Sequence, residues 1–441
     1  MDSIGNELIY TFASLAARTT QGKTCLDGMR VLADVLHPRG VPITWIVSPE
    51  SAVIAKDILT DWHASHGDEA AVELPPLEGT YAEKQRFLRD RRALVQQALP
   101  WARTTVAGGV HCDPDIVRLL SAAGFEGIWG FCWEQIEVDD ITDRGCPWGF
   151  YYMDPEDRLR PASHRSIVAV PWLSHDLLKT YHCGLAPVYT NDPNDVARAG
   201  ICSWEDSAYW DTFADNYHRN TRFNDMVFLL QHQEAHEMEC NARNHCYTEE
   251  DIREAMILLA RHVDYLLRKP NVRVMTLPEA VRQYRERNAR SAPSFMLWEN
   301  APTRRPNPDY TWSTGTGPWP KTFLYYDCGA QMIFVDGQVQ PVCIRNYGKK
   351  WDSVDYYRET VVPRPRLVRN TQFGWRREIE ITVTSPKAMP YGMTLWGDYS
   401  LYQIGESPSL LEGKILPREL LFVRYDLRPG ENRFKVALEG K

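Results

Sequence analysis

Short apolar runs alternate with amphipathic stretches through the first 290 residues of the chain. The runs Glu7–Ala13, Val41–Val47, Glu69–Leu74, Arg103–Gly108, Glu126–Cys132, Ser166–Trp172, Asp225–Gln231 and Val272–Thr276 have the length and composition of strands. Helical spacing fills most of the intervals. In Thr248–Arg268, Thr248 and Asp251 make a capping-box start, and Ile252, Met256, Leu259, Val263 and Leu266 recur on one helical face. Strand–helix alternation at this repeat implies parallel strands with helices packed outside them. No dinucleotide-type glycine fingerprint accompanies it, so the pattern favours an α/β fold of the (β/α) barrel kind, with seven or eight units, closed rather than doubly wound.

Two stretches break the rhythm, Asp139–Arg165 and Tyr181–Arg222, the second containing the motif NDPND. Both follow strand ends, where a barrel carries its functional loops. Beyond residue 290 the pattern changes. Residues 291–321 are dense in Pro, Thr and Trp and read as an irregular linker or cover. In 322–441, Thr322–Val335, Gln338–Arg345, Glu378–Thr384, Tyr391–Leu395 and Leu420–Leu427 read as short strands between turns, predicting a small all-β, sandwich-like module.

Charged residues make up 24% of the chain and its net charge is −8, which disfavours nucleic acid and anionic membranes as partners. No run approaches the length of a membrane span. Ten cysteines without a CxxC pair describe neither a disulfide scaffold nor a zinc ribbon. The apolar patch Leu8–Ala17 lacks a basic flank and reads as a first strand, giving a cytoplasmic chain as numbered, or an exported one whose signal was removed. The excess is aromatic, with 15 Trp, 21 Tyr and 14 Phe. Such rings serve either as core or as platforms for flat ligands.

Residues just past strand C-termini share one pocket in a barrel. Here they are Glu73, His111 with Asp113, Glu134, His175 with Asp176, and the segment Gln231–Glu237. In the last, His232, Glu234 and His236 alternate, so an extended backbone would place them on one face, and two imidazoles suit a divalent, zinc-like metal. It is not the HExxH pattern. Glu134 ends an apolar strand between Trp133 and Gln135, where desolvation would suit a general acid, with Glu73 or Glu234 as the second carboxylate. The competing reading of such a rim glutamate is a salt bridge. Trp133, Trp148, Trp172, His175, Trp204 and Trp210 are the candidate substrate contacts, several of them in the two long loops.

The segments VLADVLHPRGVPITWIV (31–47), His111–Phe125 leading into AAGFEGIWGF, and VRVMTLPEAVRQYRE (272–286) resemble the polysaccharide-deacetylase (NodB-type) superfamily of (β/α) barrels, relatives of glycoside hydrolase families 38 and 57. The resemblance implies a carbohydrate-directed barrel, and its late catalytic histidine would fall on His232 or His236. The superfamily's Asp-His-His metal triad is absent, because Thr11-Phe12-Ala13-Ser14 stand where paired aspartates belong and the third strand offers Glu69 and Glu73 in place of its histidines. Three readings follow. The first is a glycoside hydrolase with paired carboxylates and no cofactor, helped by His111 and His232. The second is a divergent metal-dependent carbohydrate deacetylase whose rebuilt site uses His111, His232, Glu234 and His236, with His232 and His236 on the metal. The third is a non-catalytic sugar-binding barrel. An oligo- or polysaccharide is the expected partner in each.

Overall fold

Each apolar run expected as a strand before residue 290 is one. The computed structural model describes residues 6–16, 19–20, 23–109, 113, 115–131, 150–156, 162, 164–171, 191–222, 224–239, 248–291, 295–298, 322–327, 332–335, 338–341, 364–385, 388–396, 399–416 and 420–441. The N-terminal strands are β1 (Glu7–Leu15), β2 (Ile43–Val47), β3 (Glu69–Glu73), β4 (Val106–Gly108), β5 (Gly127–Phe131), β6 (Tyr151–Tyr152), β7 (Val168–Pro171), β8 (Met226–His232) and β9 (Val272–Val274). The helices are α1 (Leu26–Leu36), α2 (Pro49–Ile54), α3 (Lys56–His66), α4 (Tyr81–Ala98), α5 (Ile116–Ala122), α6 (Pro193–Arg198), α7 (Ala208–Arg219), α8 (Glu249–Leu267) and α9 (Leu277–Arg287). The capping box read at Thr248 and Asp251 starts α8, and Thr80 with Glu83 starts α4 in the same way.

The sheet runs β8-β1-β2-β3-β4-β5-β7-β6, parallel except for β6 on β7. Pairing of β8 with β1 brings the last-but-one strand back beside the first, as barrel topology requires. Closure stops one seam short. Among the described residues the walk ends at β7, whose outer edge is taken antiparallel by Tyr151 and Tyr152 against Ala169 and Val168. Over the described residues the sheet is therefore a curled α/β half-barrel with helices packed outside it. Strand β9 lies low on β1, against Leu8–Tyr10, on the edge that β2 takes higher up.

Alternation along β1 separates two cores. Leu8, Tyr10 and Phe12 pack outward with Met29 and Leu32 of α1 and Leu259 and Val263 of α8. Ile9, Ala13 and Leu15 pack inward with Ile46, Trp129, Val170, Phe228 and Leu230. Helix α9 fills the concave side through Ala280, Val281 and Tyr284, and its Leu277 N–H donates to Thr44 Oγ1 at 2.9 Å. Much of the aromatic excess is core, since Trp45, Trp129, Trp210, Tyr10, Tyr152 and Tyr209 are the largest fully buried side chains. Burying each stabilises the fold by a few kcal/mol, about 1.5–3 for a large apolar side chain.

The described strands beyond residue 290 are antiparallel: β10 (Phe295–Trp298), β11 (Thr322–Asp327), β12 (Met332–Val335), β13 (Gln338–Pro341), β14 (Arg364–Phe373), β15 (Arg376–Ser385), β16 (Met389–Trp396), β17 (Tyr402–Ile404), β18 (Glu412–Leu416), β19 (Leu420–Leu427) and β20 (Gly430–Gly440). They form sheets β10-β11-β12-β13, β14-β15-β20-β17 and β16-β19-β18. The last two share one core, in which Ile379, Ile381 and Val383 meet Leu421, Val423 and Tyr425. The single strand expected over Thr322–Val335 is two, β11 and β12. Among the described residues no helix is long and apolar enough to cross a membrane.

Candidate active site at the carboxyl end of the sheet

Strand β8 ends at His232, and its alternation sorts the residues that follow. Phe228 and Leu230 face the concave core, so His232 does too, its ring 5.1 Å from that of buried Trp129. Gln231 faces the helix layer, where Tyr10 Oη donates to its Oε1. Gln231 Nε2 in turn donates to Asn191 O at 3.0 Å and Asn191 Oδ1 at 3.2 Å. Gln233 Oε1 accepts from Asn194 N–H at 3.1 Å, and Glu237 Oε2 accepts from Gln233 Nε2 at 2.8 Å and Asn194 Nδ2 at 2.9 Å. These amide bonds stitch the NDPND segment to the end of β8.

The stitching gathers acids. Asp192 caps α6, accepting from Asn194 N–H at 3.3 Å, with Pro193 at the first helical position. Its Oδ2 lies 3.8 Å from His232 Nδ1. Glu234 Oε2 lies 2.9 Å from His236 Nδ1. Asp192, Asp195, Glu234, His232 and His236 are buried and Glu237 half-buried. Burial pushes the Asp192 carboxyl well above the usual aspartate range, and Asp195, Glu237 and Glu234 push it further the same way. A carboxyl that keeps its proton is a donor, while carboxylates beside it accept.

A close backbone approach holds the turn that carries Glu234 and His236. Helix α1 packs on the single-turn helix Ala235–Met238, and a Cβ added at Gly28 would stand 1.8 Å from Ala235 O. Gly28 N–H also donates to Glu239 Oε1 at 3.3 Å. Glycine at that position is what lets α1 reach the turn.

The predicted site residues separate into groups. Glu234 and His236 meet directly on the single-turn helix that follows β8, and His232, the last residue of the strand, lies beside Asp192. Glu73 ends β3 but is held by α4: Arg91 pairs with its carboxylate, and Arg91 Nε donates to its backbone oxygen at 2.6 Å. Trp204 is exposed. Trp210, expected on a loop beside the pocket, lies within α7, fully buried against His262 with ring centroids 4.7 Å apart. It is core and cannot stack on a sugar, and Tyr209 is buried likewise. His111, Trp133, Glu134, Trp148, Trp172 and His175 lie outside the described residues. Asp192 and Asp195 were not singled out from the sequence. The signal was there in NDPND, an Asp-Pro helix start inside an otherwise unexplained insertion.

The donor set bears on metal binding. Among the described residues, the carboxyl half of β1 carries Thr11, Ala13 and Ser14 and no aspartate. A different group fits a cation better: Glu234, His236 and Glu237 each offer one ligand atom, all within 4.8 Å of one another.

No protein-family model matches the chain, and no curated protein matches it. Solved structures do. The chain is structurally similar to a probable polysaccharide deacetylase from Pseudomonas aeruginosa PAO1, with 11% identity, TM-score 0.42, and coverage of 66% of this chain and 94% of that one. A putative polysaccharide deacetylase from Mycobacterium smegmatis matches at 13% identity and TM-score 0.40, covering 65% and 94%. The 4-alpha-glucanotransferase from Thermococcus litoralis matches at 6% identity and TM-score 0.39, covering 99% and 100%.

Proposed function

We propose that the chain is a carbohydrate-active hydrolase, and that it cleaves a glycosidic bond with paired carboxylates at the carboxyl end of the barrel sheet. The observation that carries this is the convergence of Asp192, Asp195, Glu234 and Glu237 with His232 and His236 at the end of β8. Asp192, whose carboxyl burial and acidic neighbours push well above the usual aspartate range, is the general acid. Glu234, held beside His236, is the partner carboxylate that acts as nucleophile or base. His232 touches Asp192 and relays or orients its proton. In this reading Glu134 and His111 remain further candidate catalytic groups, and Trp133, Trp148, Trp172 and His175 candidate sugar contacts. Glu73, engaged by Arg91, sets the shape of that rim instead of reacting. The substrate class, an oligo- or polysaccharide, follows from the resemblance of the barrel segments to the NodB-type superfamily.

The test is product analysis over a glycan panel. New reducing ends are expected, lost by about 10²–10⁴-fold in Asp192→Asn and in Glu234→Gln, since that is what positioned acid–base groups contribute. Near-normal turnover in both variants would sink the assignment.

One observation favours a second reading. The compactness of Glu234, His236 and Glu237 suits a divalent cation, which would supply an activated water for removing an acetyl group. Acetate release that a chelator abolishes, with metal in the purified protein and no new reducing ends, would select it.

A further inference from the structure

The acids at the end of β8 crowd one another. Asp195, Glu237 and Glu234 all act on Asp192, and His232 and His236 stand among them. Carboxylates this close repel, and the repulsion is strongest where burial keeps water out. A cation among them relieves it.

His236 marks where that cation would sit. The residue is 7% exposed, and its Nδ1 makes no hydrogen bond although Glu234 Oε2 lies 2.9 Å away. A ring nitrogen and a carboxylate oxygen at that distance bond when the oxygen lies along the N–H direction. Here it lies off that direction, so the two atoms stand side by side. Ligands on one metal ion stand in the same way. With bonds of about 2.0–2.1 Å, two ligand atoms at right angles are about 2.9 Å apart, and two at the tetrahedral angle about 3.4 Å. Glu237 completes the set, with all three ligand atoms within 4.8 Å of one another. A plain Glu–His ion pair would account for the 2.9 Å contact. It does not account for a buried pair that passes up its hydrogen bond, or for the second carboxylate beside it.

The surroundings hold the ligands still. Glu237 Oε2 accepts from Gln233 Nε2 and from Asn194 Nδ2, as outer-sphere donors orient a carboxylate ligand. The turn Ala235–Met238 is pressed against α1 at Gly28. All three ligands fall within residues 234–237, so little chain has to be ordered when a cation binds. They follow β8, whereas the superfamily carries its aspartates and histidines after the first strand and near the third. One imidazole with two carboxylates suits a borderline ion such as zinc over calcium or magnesium, which prefer oxygen alone.

We propose that Glu234, His236 and Glu237 form a zinc-type cation site, and that filling it switches glycoside cleavage off. The switch rests on the glycosidase reading above, in which Glu234 is the partner carboxylate. A Glu234 carboxylate that donates its lone pair to a cation is withheld from acting as nucleophile or base. Asn194 and Gln233 are positioning residues for the same site, through Glu237.

Calorimetry on the full-length chain, stripped with a chelator, measures binding of zinc, magnesium and calcium with no substrate present. Zinc should bind and raise the unfolding temperature, with magnesium and calcium weaker by about tenfold or more. His236→Ala and Glu237→Gln should each weaken zinc binding by about tenfold or more, and Asn194→Ala by about tenfold, as outer-sphere partners do. Glu237→Gln keeps an oxygen for Gln233 and Asn194, and unfolding temperatures taken with chelator present show that each variant folds. Cleavage of the glycan that the stripped wild type degrades should fall by about tenfold or more on adding zinc, and far less in Glu237→Gln. The cation site is overturned if zinc does not bind, if magnesium or calcium binds as tightly, or if the variants bind as the wild type does. The switch is overturned if zinc binds through these residues and cleavage holds or rises, a result that also removes Glu234 as the reacting carboxylate. A stripped protein that cleaves no glycan defeats the glycosidase reading and the switch together, while the calorimetry still decides the cation site.

Discussion

Two aspartates lie buried at opposite ends of the same parallel sheet, and their surroundings could hardly differ more. Asp68 precedes β3 at the amino end and is surrounded by donors. Its Oδ1 accepts from Ile43 N–H at 2.9 Å, its Oδ2 accepts from Trp45 Nε1 at 2.7 Å, and His37 Nε2 lies 3.0 and 3.1 Å from the two oxygens. The His37 ring is itself stacked on His66 at 3.9 Å. Asp192 sits beside the last residue of β8 at the carboxyl end, and its neighbours are Asp195, Glu237 and Glu234. Donors around a buried acid offset its desolvation and lock a structure. Acids around a buried acid leave it holding a proton, which suits chemistry better than stability.

The sharpest way to break this contrast is to make the same substitution at both sites. Asp68→Asn replaces an acceptor with an NH₂ group facing the Trp45 indole or the Ile43 amide. It should cost about 3–5 kcal/mol of stability, as for breaking other buried charge-assisted networks. Asp192→Asn puts a neutral amide where burial and acidic neighbours already disfavour the carboxylate, and should change stability by less than about 1 kcal/mol, in either direction. Urea unfolding of both variants measures the difference. Similar losses at the two sites would make Asp192 another structural acid and remove its proposed role.

A smaller effect is expected from the backbone beneath the site. Gly28→Ala sets a methyl against Ala235 O, between Glu234 and His236. Overpacking of this kind costs about 1–3 kcal/mol. Displacement of the turn should also lower kcat/KM about tenfold or more, since small misplacements of reacting groups are costly. If Gly28→Ala destabilised the protein yet left kcat/KM unchanged, the turn would be a packing element and Glu234 would not be working from it.

The two ends of the sheet also differ in how far they were legible in the sequence. The strands were readable because apolar runs with turn residues at both ends have few alternatives, and β1, β3 and β8 match their expected spans within two residues at each end. His232 was readable because strand alternation runs to the end of the ladder, whereas Glu234 and His236 belong to the single-turn helix that follows, outside that alternation. Asp192 and Asp195 were not, since their partners lie about 40 residues away and only tertiary packing brings Asn194 to Gln233 and Glu237. Trp210 misled because an aromatic in a long polar insertion looks like a loop residue, while here the insertion contains α7 and needs its own core. In the antiparallel part, β14 and β20 escaped notice because arginines and polar residues break the apolar pattern that marks a buried strand. The edge strand β14 has little to bury.

The mildest expected effect is on the pH dependence of stability, and it separates Asp192 from every group that merely sits near it. The folded protein holds the Asp192 proton well above the usual aspartate range, first through burial and then through its acidic neighbours. The unfolded chain releases that proton at the ordinary value near ~3.9. The resulting stabilisation is fully present below the ordinary value and is lost as pH rises through the folded value. Wild-type stability should therefore fall over that interval, whereas Asp192→Asn, with nothing to titrate there, should lose less. At about 2–4 °C per kcal/mol for a domain of this size class, melting temperatures taken from acid to neutral pH should show the wild type's advantage shrinking by a few degrees. Parallel curves for the two proteins would mean that Asp192 does not hold the proton, and the general-acid role would then have to pass to another carboxyl of the same cluster.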